Sequence, residues 1–165
     1  MTREYFDVGP QAHHRIPYGR ARLSCYRFTN PASRGTIVLF GGFDSYVEEL
    51  FPMQRYPCDA GFDVISFDGP GQGATLEEEH LSMTPDREIS VDTVLDYFQL
   101  DDVTLVGYSL GGCLAMRAAA HEPRVRRVVA DDILTDLFEV SLRQLPAMNM
   151  PRTTCTLATS AFRCA

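Results

Sequence analysis

The chain has 165 residues, 45% of them hydrophobic, and a formal net charge of −7. That length suits one domain with a sizeable core, and the acidic balance argues against a nucleic-acid partner, which needs clustered Lys and Arg. No run of about 18 apolar residues provides a membrane span, and the opening "MTREYFDVGPQAHH" lacks a basic-then-apolar secretory leader.

Residues 1–19 read as irregular and polar, with Pro10 and Pro17 discouraging helix. "ARLSCYRF" (21–28) alternates as an early strand, and "NPASRG" (30–35) reads as a turn. "TIVLF" (36–40) is short, apolar and β-branched, as a strand covered on both faces should be. After the loop "GGFDS", "YVEELF" opens a helix that Pro52 and Pro57 complicate, with Asp44 placed to cap it or to shape the loop. "FDVISF" (62–67) is the next strand, and "DGPGQG" (68–73) is a turn dense in Gly and Pro. "EEEH" (77–80) reads as a solvated surface run.

In "ISVDTVLDYF", Val91, Val94, Leu95 and Phe98 share one helical face, with Ser90 as the expected N-cap. "VTLV" (103–106) is a strand, residues 110–121 are a helix closed by Pro123, and "VRRVVA" (125–130) is a further strand. Leu134, Phe138, Leu142 and Leu145 place another helix over 133–145. Strands alternating with helices predict an α/β fold: a mostly parallel sheet with helices on both faces. Residues 1–145 form this core, and 146–165 form an irregular tail without periodicity. The five cysteines make no CxxC pair and no zinc spacing. Reduced thiols in a cytoplasmic protein are the expectation, with no metal and no cofactor.

The stretch "VTLVGYSLGGCLAMRAAA" sets Ser109 between Gly107 and Gly111 at a strand-to-helix junction. A nucleophile at the tip of such a turn is pushed out over the sheet edge, and strand and helix pass so close that the positions two before and two after have no space for a side chain. The Leu110 N–H opens the helix beside it, where negative charge is stabilised. Gly41-Gly42 ends another strand with free backbone amides, and the Phe43 N–H is the candidate second oxyanion donor.

The ordered set "TIVLFGGFDS", "GFDVISFDGPGQG" and "VTLVGYSLGG" resembles the α/β-hydrolase family, as the third strand with its oxyanion loop, the fourth with its turn, and the fifth with the nucleophile elbow. "IPYGRARLSCYRF" with "GGFDSYVEEL" is most similar to the branch of acyl-peptidase-like esterases and C–C bond hydrolases. The resemblance spans residues 16–145. It implies a serine hydrolase of small acyl substrates, with Ser109 as nucleophile and the amides of Leu110 and Phe43 as oxyanion hole.

The family order is Ser, then Asp or Glu, then His. Asp131 and Asp132 end the strand after the elbow helix and are the candidate acids; the alternative for Asp132 is an N-cap. The four histidines are His13, His14, His80 and His121, and none follows residue 121. His121 lies about 18 Å along the helix from Ser109. The expected base is therefore missing from its expected place. The fold reads as a partial one that ends after about the sixth strand, which implies a truncated or frame-shifted chain with impaired activity. Its last strand would be an open edge prone to self-association. The alternative is a non-catalytic remnant or partner-binding fragment. A nucleotide-binding module is disfavoured, because "GPGQG" and "GYSLGG" match neither phosphate-binding loop.

Overall fold

The structure, a computed structural model, describes residues 8–134. Most of the helix expected over 133–145, and the tail over 146–165, lie outside them. Among the described residues six strands form one sheet: β1 (His13–Tyr18), β2 (Ala21–Phe28), β3 (Thr36–Phe40), β4 (Asp63–Asp68), β5 (Val103–Tyr108) and β6 (Val125–Asp131). Their order is β1-β2-β4-β3-β5-β6. The block β4-β3-β5-β6 is parallel, and β2 and β1 are added antiparallel to it. Four helices connect them: α1 (Phe51–Asp59), α2 (Gly73–Glu79), α3 (Arg87–Phe98) and α4 (Leu110–His121).

Strand alternation decides which helices each residue meets, because successive side chains point to opposite faces. Val38, Phe40, Ile65 and Leu105 pack with Val94 and Leu95 of α3 and Ala115 of α4, forming the main core. Their neighbours in sequence, Leu39 and Val64, turn the other way onto Leu50. Tyr26 does the same onto Val47 and Phe51. Both faces of the central strands are thus covered, which is why they read as continuous apolar runs.

Three local expectations are corrected. Residues 13–18 are a strand rather than irregular chain. Tyr18 pairs with Ala21 across a two-residue turn in which Gly19 has φ +61°. Pro17 breaks helix, yet an edge strand tolerates it because one side of its backbone has no ladder to feed. Residues 73–79, expected to run from a turn into a solvated stretch, are helical. Glu79 of that helix pairs with Arg15 and Arg22, so its charges are anchored to β1 and β2. The third correction concerns α3, which begins at Arg87, one turn before the expected cap. Ser90 is buried inside the helix, and its hydroxyl donates to the Arg87 carbonyl at 3.0 Å.

Pro52 and Pro57 complicate their segment as expected. A 3-10 turn (Val47–Leu50) precedes α1, Pro52 sits in the first turn, and Pro57 lies inside the helix. Tyr46, not Asp44, holds the cap position of the 3-10 turn.

Candidate active site

The junction of β5 and α4 has strained backbone. Ser109 has φ +55° and ψ −121°, and α4 starts at the next residue. Positive φ is costly for a residue with a Cβ and persists only where the surroundings enforce it. Here the enforcement is close packing. A Cβ on Gly107 would lie 2.1 Å from the Gly111 carbonyl oxygen, and one on Gly111 would lie 2.5 Å from that of Gly41. Strand, helix and the loop after β3 therefore meet backbone to backbone.

Backbone hydrogen bonds complete the clamp. The Ser109 N–H donates to the Asp131 carbonyl at 2.9 Å, and the Ser109 carbonyl accepts from the N–H groups of Gly112 and Leu134, each at 3.0 Å. Ser109 itself is half-buried. The end of β3 comes in from the other side, where a Cβ on Gly42 would sit 3.1 Å from the Ser109 Cβ and 3.3 Å from its Oγ. Leu110, the first residue of α4, carries a backbone N–H with no acceptor one turn back in its own helix. Ser109, Leu110, Gly42 and Asp131 thus converge at one end of β3, β5 and β6. Phe43, the residue after Gly42, is 54% exposed. Asp131 pairs with Tyr108 in register and Asp132 follows it with φ +49°; both are exposed.

Most of the histidines are elsewhere. His13 and His14 lie on β1, four strand spacings from β5 or about 19 Å. His13 stacks on Tyr26, with its Nε2 3.0 Å from the Ser24 hydroxyl. His14 sits edge-on to Phe98, and burial lowers its pKa. His80 closes α2 with φ +56°, between Glu79, which pairs with Arg22 of β2, and Leu81, whose carbonyl accepts from the Gly71 N–H at 2.8 Å. His121 is the last residue of α4, a full helix length from Ser109. Among the described residues no cluster of metal-ligating side chains occurs.

One buried polar network escaped the sequence reading. Gln72 is 2% exposed, and its Nε2 donates to the carbonyls of Gly41 and Gly42 at 2.7 and 2.6 Å. Its Oε1 accepts from the Gly69 N–H at 3.2 Å and from Arg87 Nη2 at 2.8 Å. The guanidinium of Arg87 is buried over the rings of Phe40 and Phe67, with centroids 5.0 and 5.8 Å away. Burial pulls its pKa down to about 10. Beside it, Asp68 Oδ1 accepts from the Val47 N–H at 2.9 Å and Oδ2 from the Ala74 N–H at 3.0 Å. Burial raises Asp68 to about 7 against those two hydrogen bonds. The only signal in the sequence was the Gly-rich turn itself, since nothing local marks a glutamine or an arginine as buried.

A strained serine at the strand-to-helix junction of such a sheet defines the class of fold. The model of the family described as "alpha/beta hydrolase fold" matches residues 35–158, and the chain belongs to that family. The hydrolase acrC of Aspergillus aculeatus is 41% identical over 123 residues, covering 67% of this chain and 28% of that protein. The 20-hydroxy-prefusarin hydrolase FUS2 of Gibberella moniliformis is 33% identical over 157 residues, covering 88% of this chain and 37% of that protein. Among solved structures, a 2,6-dihydroxy-pseudo-oxynicotine hydrolase is similar with TM-score 0.65 and 27% identity, over 75% of this chain and 38% of that one. AbyA5 shares the fold with TM-score 0.70 at 21% identity, over 93% of this chain and 44% of that one. The chain spans between 25% and 37% of the length of such curated relatives. Among the described residues no helix is long and apolar enough to cross a membrane.

Proposed function

We propose that this chain carries the nucleophile of a serine hydrolase that acts on small acyl compounds, esters or thioesters, or on a carbon–carbon bond of a diketone. The observation that carries the reading is Ser109 at φ +55° between β5 and α4, with Gly42 packed against it. The Oγ attacks the carbonyl carbon and gives its proton to a base. The oxygen that becomes negative accepts hydrogen bonds from the N–H groups of Leu110 and Phe43. Collapse of the tetrahedral intermediate expels the leaving group, and water then releases the acyl group from Ser109. Asp131 and Asp132 are the candidate acids, placed at the same edge by β6. The curated relatives named as hydrolases, one of them for 20-hydroxy-prefusarin, support hydrolysis of a small molecule.

The base is the weak member. His13 and His14 lie four strands away on β1 and His121 a full helix length away, and no histidine follows residue 121, so turnover by this chain should be severely impaired unless His80 serves as base. Loss of a triad member elsewhere leaves about 10³–10⁴-fold catalysis over water, from binding and the oxyanion hole alone. The second reading, a non-catalytic remnant or partner-binding fragment, rests on that same missing base.

One experiment separates the two. The 165-residue chain is treated with a fluorophosphonate probe, and p-nitrophenyl acetate hydrolysis is followed in parallel with Ser109→Ala. Labelling at Ser109 with slow hydrolysis, both abolished in the variant, supports the hydrolase reading. Wild type and variant behaving alike would leave only the remnant.

A further inference from the structure

A trans peptide points its C=O and its N–H in opposite directions. No peptide bond among the described residues is cis. The carbonyl of Gly41 shares its peptide plane with the N–H of Gly42, and that of Gly42 with the N–H of Phe43. Gln72 holds both carbonyls, at 2.7 and 2.6 Å. Whatever grips those two oxygens therefore turns the two N–H groups to the opposite side of the loop. Gly42 is the residue packed on Ser109. We propose that Gln72 is a positioning residue: by binding the carbonyls of Gly41 and Gly42, it aims the N–H groups of Gly42 and Phe43 at the oxygen that a substrate would carry beside Ser109. The inference rests on the reading of Ser109 as nucleophile.

The orientation of the Gln72 amide is decided by its partners. Two carbonyl oxygens face one end, and two donors, the Gly69 N–H and Arg87 Nη2, face the other. A flipped amide would set oxygen against oxygen and N–H against N–H. Arg87 holds the acceptor end, so the amide has no free rotation to spend. This arrangement also gives a buried cation a purpose. Arg87 is 1% exposed, and among the described residues its Nε and Nη1 have no hydrogen-bond partner. A buried charge with unmet donors is a cost to folding. The Asp68 carboxyl beside it offsets part of that cost, and Nη2 supplies the donor that fixes the Gln72 amide.

Two near-isosteric variants test the assignment. Gln72→Met keeps the volume and loses all four hydrogen bonds. Gln72→Glu keeps the acceptor for Arg87 and Gly69 but has no donor for the two carbonyls. Losing one oxyanion donor typically slows chemistry by about 10²–10³. Both variants should therefore show phosphonylation of Ser109 slowed on the order of 10²-fold in the inactivation rate constant, with the probe's reversible affinity unchanged. Crystal structures should show the Gly42–Phe43 peptide turned away from Ser109. Gln72→Glu reacting like wild type would overturn the proposal, because holding Arg87 and Gly69 would then suffice. An unchanged loop in the variant crystals would overturn it as well. Failure of the nucleophile reading looks different: the wild-type chain would not label at Ser109 at all, while the crystal structures would still decide whether Gln72 sets the loop.

Discussion

At the scale of single residues, the site depends on what is absent from two side chains. Gly107 is needed because a Cβ there would lie 2.1 Å from a backbone oxygen, which has no rotamer to escape into. Gly107→Ala is expected to destabilise the fold by roughly 3 kcal/mol, the upper end for overpacking, measured as a shift in the urea midpoint at unchanged slope. Asp68 carries a second consequence. Its buried carboxyl titrates near 7 in the fold, above its ordinary range. Between about pH 4 and pH 7 the unfolded chain releases this proton and the folded chain keeps it, so stability falls as pH rises through that window and levels off above it. Asp68→Asn removes that component. The difference in unfolding free energy between wild type and variant, measured at pH 4.5 and at pH 7.5, should shrink toward the higher pH.

At the scale of elements, α3 and α4 divide their work between an apolar face and a charged one. Leu95 of α3 is fully buried, and Leu95→Ala should cost about 2–5 kcal/mol. The next residue, Asp96, pairs with Arg124 at 2.6 Å but leaves its side chain 67% exposed. Asp96→Ala should cost less than about 1 kcal/mol, and added salt should erase most of it. Thermal melts of the two variants side by side check the contrast. The apolar face of α3 was legible from its spacing, and so were the extents of β2, β3 and α4, where local propensity agrees with burial. β1 and α2 were hidden because their signals conflict. A Pro at residue 17 and a run of three glutamates speak for open chain, and only pairing with β2 and ion pairs across it overrule them.

At the scale of the whole molecule, the sheet order decides what can react with what. It brings the ends of β3, β5 and β6 together and sends β1, with two of the four histidines, to the far edge. At the near edge, no strand lies beyond β6 among the described residues. Val129 there is 51% exposed, and Arg126 and Arg127 are separated from Asp131 and Asp132 by an apolar centre. Two copies paired antiparallel about Val129 would set each basic end opposite an acidic one, a charge pattern that favours a second copy of this chain. Sedimentation velocity should show concentration-dependent association of the wild type, weakened in Val129→Lys. A wild type that stays monomeric across the concentration range would remove this expectation.

The sequence alone determined the α/β class, most strand and helix positions, and the serine with its two glycines. Those features depend on alternation, helical spacing and a turn with no space for side chains, all of which act between residues close in the chain. The tertiary structure decided the rest: that β1 carries His13 and His14 to the far edge of the sheet, and that Gln72 and Arg87, 15 residues apart, are joined to each other and to the loop after β3. Contacts of that kind form only when β3, β4 and α3 are stacked. A polar side chain becomes a structural part when neighbours from distant segments exclude water around it and supply its hydrogen bonds.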